Sequence, residues 1–220
     1  MTRPRVLETA EGIQGEFDVG NYDIMMRRLR DKGWIETESI IKRGISYGHV
    51  LEVGPGPGYL GLEWLRHTQD TFLTGLEISP NMIEVATKHA AEYGLSHRVE
   101  YTEGNALSPP FESGRFDAVF SHGSLHEWEN PAQVFDEIGR VLKPGGLYRV
   151  SDLKRDIRLP IKLMMKYGTK PKAIRPGLIS SINAAFTVDE LKSLLSGTRL
   201  HSSIVKANPF GLEVFGSVTK

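Results

Sequence analysis

Two stretches of this 220-residue chain combine residue types and spacing that could do chemistry. The first is HVLEVGPGPGYLG, from His49 to Gly61, where Glu52 precedes Gly54, Gly56 and Gly58, with Pro55 and Pro57 between them. Glycine has no Cβ, so a ligand can come within contact distance of such a loop. The prolines fix φ and hold its shape. A helix starting just after it offers free N–H groups at its first turn. The second stretch is SHGSLHEWENP, from Ser121 to Pro131, which carries His122, His126 and Glu127. Each of these could act as a general base or a substrate ligand. The histidines are four apart and share a face if the segment is helical. Two imidazoles and a carboxylate also suit zinc or iron. Nothing else in the chain completes such a site at a diagnostic spacing, so no metal is expected. Trp128 reads as packing beneath the loop, because a large aromatic is first of all buried area.

These residues need a frame. His49 to Val53 reads as a short apolar strand and Tyr59 to His67 as a helix. Strand Thr71–Leu76, helix Pro80–Tyr93, strand Arg98–Thr102, strand Arg115–Phe120, helix Asn130–Leu142 and strand Leu147–Ser151 follow. KPGG, Lys143 to Gly146, reads as a structural turn. Proline at the first helical turn and Gly94 past a helix end are the expected boundary signals. Such alternation implies a doubly wound α/β sheet with right-handed crossovers. Thr187 and Glu190 have capping-box spacing at the start of TVDELKSLL. LHSSIVKA and GLEVFGSVT, split by NPF, then read as an antiparallel hairpin. Upstream, residues 1–20 read as a loose arm. Ile24, Met25, Leu29, Trp34, Ile40 and Ile41 form a helical pattern that Gly33 divides. Residues 152–186 are long for a connection in such a fold, basic and irregular, and read as a lid.

Composition narrows the field. The chain has no cysteine, which excludes disulfides, thiolate metal sites and a cysteine nucleophile. Lys plus Arg is 27 and Asp plus Glu is 27, so net charge gives no argument for nucleic acid. No signal-peptide core and no membrane span are visible. A cytoplasmic protein is expected, and the oligomeric state is open. The glycines do not fit G-x-G-x-x-G, because Tyr59 stands at its third glycine, and no Gly-Lys-Ser/Thr follows as in a phosphate-binding loop.

E-x-G-x-G-x-G after the first strand resembles motif I of the class I S-adenosylmethionine-dependent methyltransferases. LTGLEIS, YTEGNALSPPF, and FDAVFSHGSLHEW followed by NPAQVFDEIGRVLKPGG resemble further motifs of that family, over roughly residues 45–151. The resemblance implies a Rossmann-like seven-stranded sheet, mostly parallel with a C-terminal antiparallel hairpin, plus N-terminal helices and a lid. It divides the chain into an N-terminal arm and helices (1–44) and a core (45–220) with the lid (152–186) inserted. It implies S-adenosylmethionine as cofactor, held by Glu52, Gly54, Gly56, Gly58, Glu77, Ile78, Asn105, Ala106 and Ser121. Glu77 would take the ribose hydroxyls, and Tyr22, in NYDIMM, would cover the cofactor. Asn105 stands where the family usually has Asp. The expected function is methyl transfer to a small-molecule acceptor, with His126 and then His122 as base and Glu127 and Asp152 toward the acceptor. The YD start and RVLKPGG are most similar to the ubiquinone/menaquinone branch. The rival reading is a cofactor-binding scaffold or regulator of the same fold.

Overall fold

The computed structural model describes residues 4–8 and 12–219. Seven strands form one sheet: β1 (Gly48–Val53), β2 (Thr71–Glu77), β3 (Val99–Glu103), β4 (Phe116–His122), β5 (Leu142–Leu153), β6 (Ile204–Ala207) and β7 (Gly211–Ser217). Their order is β3-β2-β1-β4-β5-β7-β6. The first five run parallel, while β7 is antiparallel to both β5 and β6. The doubly wound expectation and its closing hairpin are therefore met.

Helices cover both faces. Chain order gives α1 (Glu16–Asp31), α2 (Thr37–Lys42), α3 (Tyr59–Arg66), α4 (Pro80–Glu92), α5 (Pro131–Val141), α6 (Leu159–Gly168), α7 (Arg175–Ala184) and α8 (Val188–Leu195). Ile40, Trp64, Leu65 and Ala90 build the core on one face; Phe135, Ile138, Leu191 and Leu195 build it on the other. A strand covered on both faces reads as a continuous apolar run. In β1 that run is Val50, Leu51 and Val53, and the buried exception is Glu52. Ser79 caps α4 and Asn130 caps α5, each with proline in the first turn. The capping box of Thr187 and Glu190 forms as expected on α8.

Four expectations need correction. The chain is helical from Glu16, so the arm is shorter than residues 1–20. In α1 the buried residues are Val19 and Met26, whereas Ile24 there and Trp34 after it are 50% and 65% exposed. KPGG is not a turn before a strand but a bulge inside β5. Leu142 already pairs with Phe116, Leu147 pairs with Ala118, and the four residues between them loop out of the ladder. Residues 152–186 are not irregular either: they carry α6 and α7, joined through a 3₁₀ turn at Lys172–Ile174. Among the described residues no helix is long and apolar enough to cross a membrane.

Candidate active site

Strand order reverses between β1 and β4, and ligands in such sheets bind outside the strand ends at that point. A cleft opens there. The Gly54–Gly58 loop leaves β1 and enters α3 directly, and Glu77 ends the neighbouring β2. The Gly56 N–H donates to Glu77 Oε2 at 2.9 Å, and the Ile78 and Ser79 N–H groups donate to Oε1 at 2.9 and 3.0 Å. Three backbone donors thus aim one carboxylate. A carboxylate has about four acceptor positions, so capacity remains for a ligand. Burial pushes the Glu77 carboxyl up, and those N–H groups work against the shift.

The three loop glycines have different reasons. A Cβ at Gly54 would lie 2.8 Å from Ser124 Cβ, and one at Gly58 would lie 2.6 Å from Tyr101 Oη. Protein packing forbids a side chain at both. At Gly56 the nearest neighbour is Tyr22, at an ordinary 3.5 Å, although φ is +53°. Gly56 is the glycine whose bareness a ligand could use, with the α1 ring of Tyr22 across from it. Beneath the loop, Glu52 is 1% exposed and its Oε2 has no hydrogen-bond partner. Burial, helped by Glu77, pushes its carboxyl up to about 8. An orphaned acid next to a cleft is a group awaiting a partner. Asn105 spends Oδ1 on the Leu107 N–H at 2.8 Å, a local turn that carries Asn105 and Ala106 to the rim.

The other end of the cleft is built from side-chain pairs. Ser121 donates to Val53 O at 2.7 Å, tying β4 to β1. His122 ends β4, with Nδ1 2.9 Å from Ser151 Oγ and 3.8 Å from Glu36 Oε2. Buried Arg149 pairs with Glu36 and Glu213. Burial alone would raise the Glu36 carboxyl, but His122 and Arg149 hold it below its ordinary value. His126 lies in a 3₁₀ turn, Leu125–Glu127, and is 5% exposed. Its Nδ1 is 2.9 Å from Asp152 Oδ2, and its backbone N–H donates to the same oxygen at 2.7 Å. Glu8 Oε2 and Glu127 Oε1 lie 3.4 and 3.9 Å from its Nε2. Burial disfavours the imidazolium, but Asp152, Glu127 and Glu8 outweigh it and raise the pKa to about 9. Burial takes Glu127 to about 7.

Residues 51–150 match the family described as "Methyltransferase domain". The erythromycin 3''-O-methyltransferase of Saccharopolyspora erythraea is 29% identical over 66% of this chain and 46% of its own length. The sterol 24-C-methyltransferase of Aspergillus fumigatus is 34% identical over 55% of this chain and 31% of its own. The chain thus spans less than half the length of these curated relatives. A protein of Methanococcus maripaludis, provisionally described as an S-adenosyl-L-methionine-dependent methyltransferase, superposes with a TM-score of 0.74 and 27% identity, covering 100% of this chain and 98% of that one.

The cleft gathers Tyr22, Glu52, Gly54, Gly56, Glu77, Ile78, Asn105, Ala106, His122 and Glu127. Gly58, Ser121, His126 and Asp152 do not line it. Of the two histidines it is therefore His122 that faces the cleft. They do not share a helical face, because a strand end and a 3₁₀ turn separate them. Trp128 packs edge-on against Phe135 at 5.6 Å, as a buried aromatic should. Glu8, His126 and Glu127 lie close enough to share a cation. A protonated His126 already supplies a positive charge among those carboxylates. Nothing in the sequence marks Glu8 or Glu36: neither stands in a motif, and both reach the site only through the fold. Met26 and Met82 also line the cleft, and nothing but helical periodicity marks them in the sequence.

Proposed function

We propose that this chain transfers a methyl group from S-adenosylmethionine to an apolar small-molecule acceptor. The observation that carries the reading is Glu77, held by three backbone N–H groups beside a glycine loop and facing the cleft. The residues fit the cofactor. Glu77 keeps capacity for a ribose hydroxyl, and unpartnered Glu52 suits the ammonium of the methionine end. The open face of Gly56 admits close approach, and Tyr22 covers it. When bound, the cofactor supplies an electrophilic methyl on a positively charged sulfur. The protein's task is then to hold the acceptor in line and to exclude water. Orientation of this kind contributes up to roughly 7–11 kcal/mol to such a step.

His122 is the better-placed base, because it lines the cleft while Ser151 fixes its Nδ1. His126, paired with Asp152, acts as a positioning residue for Glu127. Residues 45–220 form the catalytic core in this reading, residues 1–44 cover the cofactor, and 152–186 close over the acceptor. Met26, Met82, Trp128 and Val134 give the cleft apolar walls. Such walls accord with an acceptor of the quinone, sterol or macrolide kind. The lack of cysteine fits a cytoplasmic setting.

Calorimetric titration with S-adenosylmethionine, S-adenosylhomocysteine and NAD tests the reading. Binding of the first two is expected, followed by turnover in an acceptor screen that His122→Ala lowers more than His126→Ala. Preference for NAD, or no binding at all, overturns it. Binding without turnover of any acceptor would instead support a scaffold.

A further inference from the structure

Helix α6, LPIKLMMKYG, buries none of its residues. At about 100° per residue, Leu159, Leu163, Met164 and Tyr167 fall within an arc of roughly 140° on one face. They are 66%, 41%, 56% and 63% exposed. Half-buried Ile161 and Met165 fall on the opposite side, and α6 packs against α7. The apolar face is thus turned away from the protein. The N-terminal arm lies near this helix pair: the Val6 N–H donates to Asn183 O at 3.2 Å, and Lys162 Nζ reaches Asn183 Oδ1 at 3.3 Å. Val6 and Leu7 are 64% and 66% exposed.

The chain through and just after this helix carries charge of one sign. Arg158, Lys162, Lys166, Lys170, Lys172 and Arg175 lie in a stretch, residues 157–188, that contains no Asp or Glu. Among the described residues, none of these six makes an ion pair. We infer that α6 and its basic flanks dock on the surface of an anionic lipid bilayer. An exposed apolar helix face bordered by lysine and arginine is the composition that lies flat in the headgroup region. Anionic lipids attract such cations within a Debye length of the surface. A second copy of the chain fits poorly, because a two-fold contact would set the six cations against the same six. Helix α7 also packs on the turn that carries His126 and Glu127. Docking would therefore bring the acceptor end of the cleft toward the bilayer. That last consequence rests on the methyl-transfer reading, but the docking does not.

Vesicle co-sedimentation tests it. The full chain is expected to sediment with phosphatidylcholine vesicles containing roughly one-third phosphatidylglycerol and to stay in solution with phosphatidylcholine alone. Salt at about 1 M should release it. Leu163→Ser with Tyr167→Ser, and separately Lys166→Glu with Lys170→Glu, should each weaken binding about tenfold or more while leaving the melting temperature unchanged. These side chains are at the surface, so both variants should fold. Wild-type protein that ignores anionic vesicles, or variants that bind as well as wild type, would overturn the proposal. So would a concentration-dependent dimer that the same substitutions abolish, which would make the face a contact between copies. S-adenosylmethionine titration of the same samples reads the methyl-transfer proposal separately.

Discussion

The two ends of the cleft are fixed by different means. At the glycine end, a carboxylate is aimed by backbone N–H groups one, two and twenty-one residues away. At the histidine end, side chains aim side chains across longer separations: His122 to Ser151, His126 to Asp152, and Glu36 to Arg149. Backbone donors come with the strand and the turn, so they cost little extra order. Side-chain networks need every member present, and one deletion leaves a buried group unpaired. The glycine end should therefore fail mainly in binding, and the histidine end mainly in stability.

The largest effect should come from Glu77→Ala. It removes a ligand contact and leaves three N–H groups without their acceptor, so the cofactor Kd should rise about a hundredfold or more. Titration calorimetry reads this directly, and a change below tenfold would detach Glu77 from the cofactor. Next, Asp152→Asn breaks a buried ion pair and should cost about 3 kcal/mol by denaturant unfolding. It carries a pH signature as well. The folded-state pKa of His126 is raised from 6.5 to about 9. Its stabilising contribution is complete below 6.5 and disappears as pH rises through 9. Wild-type melting temperature should drop across that window for this reason, and the Asp152→Asn variant should lose that part of the drop.

Glu52→Gln is opposite in sign. The folded acid titrates near 8 while the unfolded one titrates near 4.5, so Glu52 subtracts stability progressively as pH climbs between those values. The variant should gain a few kcal/mol at pH 8 and almost nothing at pH 4.5. Equal gains at both would show that the carboxyl is already ionised in the fold. The smallest effect should be Gly56→Ala, about 1 kcal/mol of stability for a positive φ and no clash. Its cofactor affinity should fall further than its stability does, whereas Gly58→Ala should show the reverse.

What the sequence revealed follows the same division. The βα alternation, the glycine loop, the capping box at Thr187 and the terminal hairpin all obey rules that act within a few residues. Their expectations survive in the fold. KPGG misled because pairing decided it: Leu142 finds Phe116 before the glycines, so the turn residues become a bulge. Ile24 and Trp34 misled because an interrupted helical pattern leaves the buried face undetermined. His126 reads ahead of His122 in sequence, and only the paths of β4 and the following 3₁₀ turn show that His122 is the cleft residue and His126 the packed one. Glu8 and Glu36 could not be found beforehand, since their partners are more than eighty residues away.

The proton on Glu52 has a consequence for how binding is measured. Below pH 8 that carboxyl is neutral in the free protein. A ligand that brings a cation to its unpartnered oxygen displaces the proton into the medium. The apparent enthalpy then includes the heat with which the buffer takes that proton up. Titrations in phosphate and in Tris at the same pH should therefore disagree, and the difference counts the protons released.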